Sequence, residues 1–503
     1  MKKILPFNHL ILKINKFKYN RKKIGLCHGV FDLLHLGHIK HFEEAKKKCD
    51  ILVVSITADK FVFKGPGRPR FNEKERMSAI ASLQIVDYVV ISESESAAEN
   101  IKLIKPHYYF KGSDYQNNKN DYTKKIYQEI KTLKKVKGKI VYTKAKKFSS
   151  SELLKKYEKR EENYDKILKK IKSKFNFLDI KKIIDNFNNI NPLIIGETII
   201  DEYIFCEALG KSGKEPMLVI RDLYGEKYLG GAGAICNHLS GFTKKVNFLT
   251  VLGEKKEFYA FIKNAINKNV SLDYVKKDNS PTIIKKRFID HIIKSKILGV
   301  YSLNDDYVNK LEEAQLVKKF LKKKKDLVIL SDYGHGMFTK KFINIIKSKS
   351  KFLGANVQIN AANLGHHSLK NYENVDFIII NEKELRHEMR SKSENIINLM
   401  KILAKNLKLN YLVVTRGSSG SILYNFKKKL FHYSPAYADK VIDKVGAGDT
   451  MLAILTTCLS KKIDPDLSLL IASFCAAQSV KILGNKKSID KNILLKDLEH
   501  YLI

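Results

Sequence analysis

Short apolar runs alternate with segments of helical periodicity in two separate parts of the chain, and this alternation limits its fold more than any other feature. The runs of the first part are Ile24–Cys27, Ile51–Ile56, Tyr88–Ile91, Tyr108–Phe110 and Ile140–Tyr142. The runs of the second part are Pro192–Gly196, Val246–Val251, Leu327–Ser331, Phe377–Ile380 and Tyr411–Thr415. Strands that alternate with helices build parallel sheets covered by helices. The sequence therefore predicts two α/β regions.

A charged segment joins the two regions. Its apolar residues repeat at helical spacing, which indicates a helical connection rather than a loose linker: they are Ile167, Leu168, Ile171 and Phe175. The predicted organisation is a domain over residues 1–157, a helical connector over 158–190 and a second domain over 191–503. Within the second domain, Tyr203–Leu229 alternates apolar and polar residues, which predicts a small antiparallel sheet inserted after the first strand.

Bulk composition excludes several classes of protein. The chain is 44% hydrophobic, which is typical of globular proteins and far from a disordered composition. No run of 18 or more apolar residues occurs, so no membrane span is predicted. The basic N-terminal segment is a poor secretory signal, and the six cysteines lack paired or metal-ligand spacing. Both observations favour a cytoplasmic protein with free thiols.

A formal charge of +40 raises the question of nucleic-acid binding. Only 10 of the 93 basic residues are Arg, and the lysines are spread along the whole chain. Compositional drift explains this pattern better than a binding stripe does, so neither a nucleic acid nor a membrane is expected as a partner. The positive field would instead help to gather phosphorylated substrates.

The segment Gly29–His38, GVFDLLHLGH, follows the first strand and opens the next helix. His35 and His38 are three residues apart and therefore share one helix face. A helix N-terminus offers unpaired N–H groups and the positive end of the helix dipole, which suits a phosphate. Two imidazoles there can also stabilise charge that develops on a triphosphate. Taken alone, the HxxH spacing fits equally a pair of histidines without a role or a metal pair.

The surrounding residues resemble the cytidylyltransferase-like nucleotidyltransferases over about residues 20–157. KGPGRP (64–69), EKERM (73–77), FKGSDY (110–115) and FSSSELL (148–154) follow the first motif in the family's order. The resemblance implies that a sugar phosphate or alcohol phosphate attacks the α-phosphate of ATP or CTP in the presence of Mg²⁺. The implied catalytic residues are His35, His38 and Lys46. The implied nucleotide or phosphate ligands are Gly29, Phe31, Asp32, Lys64, Arg76, Ser149 and Ser150.

A second chemical segment is DKVGAGDTM, Asp443–Met451, which precedes an apolar helical run. Gly446, Ala447 and Gly448 form a small-residue turn whose N–H groups would converge at a helix N-terminus. This is a potential anion hole for a phosphoryl group in transfer. Asp449 is placed to accept the proton of an attacking hydroxyl. By itself, the motif fits equally a glycine-rich turn with Asp as a helix cap.

Residues 190–503 contain further motifs that resemble the ribokinase, or PfkB, family of carbohydrate kinases. They are IGETIIDEY (195–203), LGGAGA (229–234), LSDYGHG (330–336), NEKE (381–384) and VVTRGSSG (413–420). LSDYGHG is similar to the LSDYxKG of heptose 7-phosphate kinases. The resemblance implies a ribokinase-like α/β domain with a small β-sheet lid that phosphorylates a sugar with ATP.

The same resemblance assigns residues to the predicted kinase site, with Asp449 as the catalytic base. The implied nucleotide or phosphate ligands are Asn381, Glu384, Thr415, Gly417, Gly446, Ala447 and Gly448, with Glu384 acting indirectly on Mg²⁺. The implied sugar ligands are Asp201, Gly230, Gly231, Asn237, Lys285, Arg287 and Asp332.

Three departures from the family pattern fall on the sugar side. Glu197 stands where these kinases usually have Asp, and Ala234 stands where GGAAN has Asn. The segment Gly354–His367 is rich in amides and imidazoles where a strand with DPK is usual. Lost partners for sugar hydroxyls discriminate strongly between substrates, so the identity of the acceptor stays open.

The predicted architecture is therefore two Rossmann-like three-layer domains, an α/β/α nucleotidyltransferase and a ribokinase-like kinase. Both resemble the halves of the bifunctional enzyme that makes ADP-heptose, in swapped order. This favours two consecutive steps that convert a small-molecule sugar phosphate into a nucleotide-activated sugar. Two alternatives stay open: a polyol-phosphate transferase beside a kinase for another sugar, and a degenerate kinase half that senses a sugar. The resemblance also allows a homodimer through the kinase lid.

Overall fold

The computed structural model describes residues 3–62, 68–94, 96–112, 125–143, 162–255, 257–359, 363 and 367–502. The chain divides into two compact units, the first formed by Met1–Arg160 with Glu499–Tyr501 and the second by Glu161–Leu498 with Leu502. Both are built on parallel sheets, which confirms the predicted α/β class. Within these ranges, no helix is both long enough and apolar enough to cross a membrane.

The first unit has a five-stranded parallel sheet with the strand order β3-β2-β1-β4-β5. Its elements are α1 (Phe7–Tyr19), β1 (Ile24–Gly29), α2 (Leu36–Lys46), β2 (Ile51–Thr57), α3 (Glu73–Ala81), β3 (Tyr88–Ser92), α4 (Ala98–Ile104), β4 (Tyr108–Gly112), α5 (Lys125–Lys135) and β5 (Lys139–Thr143). The strand order reverses between β1 and β4. Ligands bind at such switch points, outside the carboxyl ends of the strands.

Helices cover both faces of this sheet because successive strand residues point to opposite faces. On one face, Leu26 and Val53 pack in a core cluster with Ile14 of α1. On the other face, Val54 packs with Phe42 of α2 in a second cluster. The unit therefore has the three layers that the sequence predicts.

The second unit begins with two helices, α6 (Glu162–Lys172) and α7 (Phe177–Asp185), in the segment predicted as a helical connector. Its remaining elements are β6 (Pro192–Gly196), β7 (Thr198–Lys211), β8 (Leu218–Gly231), α8 (Ala232–Ser240), β9 (Val246–Gly253), α9 (Tyr259–Ala265), β10 (Val270–Lys277), β11 (Ile283–Asp290), β12 (Lys296–Ser302), α10 (Lys310–Lys322), β13 (Leu327–Asp332), α11 (Lys340–Lys349), β14 (Leu353–Val357), β15 (Phe377–Asn381), α12 (Glu382–Glu388), α13 (Ile396–Asn406), β16 (Tyr411–Thr415), β17 (Ser421–Asn425), β18 (Leu430–Ser434), α14 (Ala447–Ser460), α15 (Pro465–Ser479) and α16 (Lys491–Leu502).

A nine-stranded sheet forms the centre of the second unit, in the order β10-β9-β6-β13-β14-β15-β16-β17-β18. The strands from β10 to β16 are parallel, and β17 and β18 are antiparallel to their neighbours. The chain leaves β6 toward β9 on one side and later returns to β13 on the other. The carboxyl ends of β6 and β13 therefore mark the switch point of this sheet.

A separate four-stranded sheet, the lid, has the order β12-β11-β7-β8. The hairpin of β7 and β8 is antiparallel, as the sequence predicts, whereas β11 and β12 enter from a later part of the chain. Residues in register share a face. Asp201 is in register with Tyr228 and Lys285, so these three side chains project from one face of the lid.

Each unit has its own apolar clusters, so we expect each to fold alone. Residues 1–160 and 161–503, expressed as separate chains, should each show a cooperative thermal transition by circular dichroism. The full-length chain is the control for the amplitude of each transition. A non-cooperative melt for either piece would contradict the predicted domain organisation.

Candidate active sites

The carboxyl edge of the first sheet brings the two predicted histidines together. His35 caps α2, and its Nδ1 accepts a hydrogen bond from Gly37 N at 3.1 Å. The rings of His35 and His38 are stacked, with centroids 3.8 Å apart. Phe31 contacts His38 edge-on at 5.3 Å and Phe42 at 5.1 Å. The imidazole pair thus lies at a helix N-terminus beside the switch point, and Phe31 supports it from the core rather than offering a nucleotide surface.

Asp32 has a different position from the one predicted. It is buried and pairs with Arg68 Nε at 2.5 Å. Its Oδ1 accepts hydrogen bonds from the backbone N–H groups of Arg70 at 2.7 Å and Phe71 at 3.1 Å. A carboxylate would repel a phosphate, and this one already anchors residues 68–71. These contacts give Asp32 a loop-anchoring role, and its predicted place among the nucleotide ligands stays a prediction.

Arg76, a predicted phosphate ligand, is engaged by backbone carbonyls and a carboxylate in this structure. Its side chain is fully buried and donates to Phe71 O at 3.0 Å, Val30 O at 2.5 Å and Thr57 O at 2.8 Å. A fourth bond reaches Asp59 Oδ1 at 2.6 Å. Because these acceptors belong to three loops at the catalytic edge, Arg76 joins those loops instead of facing a phosphate.

Lys46 is the last residue of α2, at the end of the helix opposite the two histidines. Its Nζ pairs with Asp87 Oδ2 at 2.5 Å and donates to Asp50 O at 2.7 Å. Asp50 and Asp87 come directly before β2 and β3, so they mark the amino edge of the sheet. An 11-residue helix is about 16 Å long, which separates Lys46 from the histidines. This position does not favour the predicted catalytic role of Lys46, which stays a prediction.

Two further residues lie near the switch point of the first sheet. Lys111, at the end of β4, is buried and pairs with Glu129 Oε2 at 3.2 Å. Burial alone would raise the pKa of Glu129, but the Lys111 charge lowers it, together with hydrogen bonds from Ala97 N and the Tyr109 hydroxyl. His28, at the end of β1, contacts Ser55 Oγ at 2.7 Å.

Lys111 lies in the FKGSDY motif, but the sequence indicated no role for it. For His28, the available signal was its position at the end of a strand. Gly29 also ends β1, and a Cβ on it would lie 3.0 Å from the Phe31 ring. Three other predicted ligands, Lys64, Ser149 and Ser150, lie outside the described residues.

The second site is formed around the N-terminus of α14, as predicted. Gly446 caps this helix with φ of 87°, and an added Cβ would lie 2.2 Å from Asn485 Oδ1. Both facts require glycine at this position. A Cβ on Gly448 would meet no other atom within 4 Å among the residues that the structure describes, so the turn has open space beside Gly448. A phosphoryl group can therefore approach the backbone N–H groups of this turn.

Asp449 lies in the first turn of α14, and Tyr333 donates a hydrogen bond from its hydroxyl to Asp449 Oδ1 at 2.7 Å. Burial raises the pKa of Asp449 to about 6. The charge of Asp201 also acts to raise this pKa, whereas the Tyr333 hydrogen bond and Lys285 act to lower it. The value of about 6 is the net result of all four effects. A carboxylate with a raised pKa is a stronger proton acceptor, which suits a general base.

The lid contributes the residues of the predicted sugar side. Arg287 pairs with Asp201, and Lys285 is buried between the rings of Tyr301 and Tyr333 at 5.7 and 5.6 Å. Gly230 is needed because a Cβ would lie 2.1 Å from Asp201 Oδ2.

Gly231 has φ of 57°, and a Cβ there would lie 2.6 Å from Glu197 O. The two glycines thus let β8 end directly against the residues at the switch point, and the predicted residues Asp201, Lys285, Arg287, Gly230 and Gly231 do come together.

Glu197, the first of the sequence departures, faces the protein rather than a sugar. It is fully buried and accepts hydrogen bonds from Tyr333 N at 3.0 Å and His335 N at 3.3 Å. Burial, followed by the nearby charge of Asp332, raises the pKa of Glu197 to about 7. The longer side chain therefore fixes the loop that follows β13.

Two predicted sugar ligands are engaged elsewhere. Asp332 is buried and accepts from Gly334 N at 2.8 Å and from the Tyr372 hydroxyl, with His367 Nε2 at 3.3 Å. Asn237 donates to Ala265 O at 2.8 Å and accepts from Asn267 N at 2.9 Å, so it caps the end of α9. Both side chains are hydrogen bonded within the protein in this structure, and their contacts with a sugar stay predictions.

The NEKE segment forms a capping box at the start of α12. Asn381 accepts from Glu384 N at 2.9 Å, and Glu384 accepts from Asn381 N at 2.8 Å and Ile359 N at 3.2 Å. Burial raises the pKa of Glu384 to about 7. Thr415 is in register with Asn381, and Gly417 follows with φ of 58° and open space beside it. These four predicted residues share the carboxyl edge of the sheet, and their contacts with a nucleotide stay predictions.

The described residues contain no group of three His, Cys, Asp or Glu side chains that could hold a metal ion. Mg²⁺ is usually bound through one or two carboxylates together with substrate phosphates and water. Glu384 already accepts backbone hydrogen bonds, so it fits only the indirect, water-mediated role that the sequence predicts.

Asp443, at the start of the DKVGAGD motif, ties the lid to the turn before α14. It is buried and accepts from the Tyr203 hydroxyl and Lys296 Nζ, each at 2.8 Å. It also accepts from Gly484 N at 3.1 Å and Val445 N at 3.2 Å. Burial alone would raise the pKa of Asp443, but Lys296 and these hydrogen bonds hold it below its usual value. Sequence reasoning placed Asp443 in the motif without giving it a role.

Fold and site geometry together define a class of protein with two α/β units, each with a potential phosphate-binding helix N-terminus at the carboxyl edge of a parallel sheet. Residues 191–492 match the family described as pfkB family carbohydrate kinase, and residues 26–156 match the cytidylyltransferase-like family. Because the first match covers more than half of the sequence, the chain belongs to the pfkB family of carbohydrate kinases, with a cytidylyltransferase-like N-terminal domain.

Curated relatives match parts of the chain. The bifunctional protein HldE of Aliarcobacter butzleri is 44% identical over 133 residues, which is 26% of this chain and 28% of the relative. The bifunctional protein HldE of Campylobacter jejuni (strain RM1221) is 28% identical over 299 residues, which is 58% of this chain and 61% of the relative. The chain thus spans less than two thirds of the length of either relative.

Solved structures of similar fold cover the second unit's share of the chain. Arabidopsis thaliana ribokinase matches with a TM-score of 0.50 and 20% identity over 62% of this chain and 99% of that chain. Escherichia coli phosphofructokinase-2 matches with a TM-score of 0.50 and 13% identity over the same shares. These likenesses confirm the predicted ribokinase-like fold.

Single Ala substitutions of Lys46 and His38 should show which end of α2 takes part in nucleotidyl transfer. We expect His38→Ala to lower the nucleotidyl-transfer rate by about 10²–10³, as loss of one donor to developing charge does. Lys46→Ala should leave the rate within a few-fold of the wild type, because it removes only the ion pair with Asp87 at the amino edge of the sheet. Pyrophosphate release measures both, and a large loss in Lys46→Ala would support the predicted catalytic role.

The raised pKa of Asp449 predicts the pH dependence of phosphoryl transfer. A base must be ionised to act, so the kinase rate should fall as the pH drops through about 6, well above the ordinary Asp value of about 3.9. Tyr333→Phe is the matched variant: it removes a hydrogen bond that lowers this pKa, so the inflection should move to higher pH. An inflection in both proteins near the ordinary value would refute the assignment of Asp449 as a buried base.

Proposed function

We propose that the chain catalyses two consecutive steps toward a nucleotide-activated sugar. The C-terminal unit phosphorylates a sugar or sugar phosphate with ATP, and the N-terminal unit transfers a nucleotidyl group from ATP or CTP to the sugar 1-phosphate. The observation that carries this proposal is the pairing of Asp449 with the turn of Gly446, Ala447 and Gly448 in one unit and the His35–His38 pair in the other. We place both steps in the cytoplasm, where nucleotides are abundant and the six buried free cysteines stay reduced.

In the kinase step, Asp449 accepts the proton of the acceptor hydroxyl as that oxygen attacks the γ-phosphorus. The N–H groups of the turn before α14 bind the phosphoryl oxygens, so positioning and charge stabilisation supply most of the rate. Lys285 adds a buried positive charge close to Asp449. Mg²⁺ bound to the nucleotide phosphates would neutralise further negative charge.

In the transferase step, the phosphate of the sugar 1-phosphate attacks the α-phosphorus and pyrophosphate leaves. His35 and His38 donate hydrogen bonds at the N-terminus of α2, where the helix dipole also favours the developing negative charge. Arg76 and Asp32 act indirectly, because their hydrogen bonds hold the neighbouring loops in place. Little covalent work is required of the protein in such a step.

We propose a heptose 7-phosphate or a related sugar phosphate as the acceptor. The support is the similarity of KGPGRP, FKGSDY and LSDYGHG to motifs of heptose-specific enzymes. A rival is a kinase half that only senses a sugar, which the occupied side chains of Asp332 and Asn237 favour. The intact base and open turn at Gly448 oppose that rival, because a sensor needs neither.

We also propose a homodimer formed through the lid. Large apolar side chains are exposed along β7, β8 and β12 and their connecting turns. They are Leu209, Met217, Leu218, Leu223, Tyr224, Ile292, Ile293, Leu298, Val300 and Tyr301. Such a concentration of exposed apolar side chains marks an interaction surface. Exposed apolar surface of this extent is typical of an interface between identical subunits.

The test is an acceptor panel of sugars and sugar 7-phosphates with ATP and CTP, assayed for ADP and for pyrophosphate. We expect the wild type to form both products from a heptose 7-phosphate. Asp449→Asn should lose ADP formation by about 10²–10⁴ yet keep pyrophosphate release from added sugar 1-phosphate, and His38→Ala should show the reverse. If no acceptor gives ADP above the Asp449→Asn background, the kinase activity is refuted and the sensor gains.

A further inference from the structure

His335 is a buried histidine on the sugar side of the kinase unit, and it is not among the predicted site residues. Its side chain is 1% exposed, although it lies in the loop after β13, beside the switch point. Its backbone N–H donates to Glu197, and its carbonyl accepts from Lys277 Nζ at 3.0 Å. The loop therefore holds the ring in one place.

The hydrogen bonds of the ring define its tautomer. Nδ1 lies 2.7 Å from Asp305 Oδ1. Asp305 is partly exposed and, as a carboxylate, can only accept, so Nδ1 carries the proton. Burial, followed by the charge of Lys285, lowers the pKa of His335, which keeps the ring neutral. Nε2 of a neutral ring protonated at Nδ1 is an acceptor.

Nε2 of His335 is buried and has no hydrogen-bond partner among the residues that the structure describes. Buried polar atoms are nearly always paired in native proteins. The ring is close enough to Lys285 and Asp332 for both charges to act on its pKa. Lys285 in turn contacts the Tyr333 ring, and Tyr333 binds Asp449. The unpaired acceptor thus belongs to the surroundings of the proposed acceptor sugar.

We propose that His335 determines acceptor specificity by accepting, at Nε2, a hydrogen bond from a hydroxyl group of the sugar. This inference rests on the kinase activity proposed above. A neutral acceptor atom favours a hydroxyl over a phosphate, because a phosphate monoester is mostly a dianion at neutral pH and has few protons to donate. The LSDYxKG pattern has a lysine at this position, whose ammonium would instead attract a phosphate. The phosphate of a sugar phosphate therefore lies away from His335.

Two variants separate this role from a purely structural one. His335→Asn places an amide near Nδ1, so it keeps the bond to Asp305 and removes Nε2. His335→Gln places an amide near Nε2 and loses the bond to Asp305. With heptose 7-phosphate as the probe, His335→Asn should raise the acceptor KM about 10-fold, a typical effect of one lost hydrogen bond to a substrate, with kcat and the KM for ATP nearly unchanged. His335→Gln should keep an acceptor KM near the wild-type value.

The reverse order, with His335→Asn neutral and His335→Gln impaired, would overturn the proposal, because it would show that only the Asp305 bond matters. His335→Lys restores the LSDYxKG pattern and should also weaken acceptor binding. A lower acceptor KM in His335→Lys would show that this position meets the phosphate and would equally overturn the proposal.

A readout independent of catalysis distinguishes failure of this inference from failure of the proposed kinase. In the full-length protein labelled with ¹⁵N-histidine, the signal that His335→Asn removes should show a protonated Nδ1 and an unprotonated Nε2 at neutral pH. An imidazolium or the opposite tautomer would overturn the proposal even if the kinase is active. Absence of phosphorylation with the expected tautomer would refute the kinase activity and, with it, the sugar contact.

Discussion

A carboxyl group removed from water must be hydrogen bonded, because an unpaired buried polar or charged group is unfavourable, and this requirement organises the catalytic edges of both units. In the first unit Asp32 accepts hydrogen bonds from the backbone N–H groups of Arg70 and Phe71. In the second unit Glu197 accepts hydrogen bonds from those of Tyr333 and His335. Each carboxylate thereby fixes a loop beside a switch point before any ligand arrives, and such preorganisation is what lets fixed dipoles stabilise developing charge.

The same constraint separates the residues that sequence could predict from those that it could not. Apolar runs mark buried strands, and the motif spacing placed His35, His38 and Asp449 at helix N-termini, because these features depend on local sequence. The roles of Arg76 and Asp332 depend on which distant groups take up their hydrogen bonds, which no spacing reveals. Lys46 shows a similar limit: the sequence placed it on the same helix as the histidines, but its contacts lie at the amino edge of the sheet.

The strands missed by sequence analysis follow the same logic. Leu353–Val357 has glycine and asparagine within five residues, and its place in the sheet comes from its two parallel neighbours. The later lid strand Ile283–Asp290 has three consecutive basic residues, and Lys296–Ser302 is almost entirely exposed, so neither shows a clear apolar pattern. Asp443 then joins this lid to the anion-binding turn through Tyr203 and Lys296. Chemistry in the second unit thus depends on pairings between segments more than 100 residues apart.

The proposed function places two separate phosphate-transferring sites on one chain, acting in sequence. A ³¹P NMR time course on the intact wild-type protein, with heptose 7-phosphate, ATP and Mg²⁺, follows both steps at once. A sugar 1,7-bisphosphate and ADP should appear first. Pyrophosphate and a nucleotide-linked phosphorus at the 1-phosphate position should follow. Nucleotide-linked phosphorus at the 7-phosphate, or pyrophosphate without any prior sugar 1-phosphate, would contradict the proposed function.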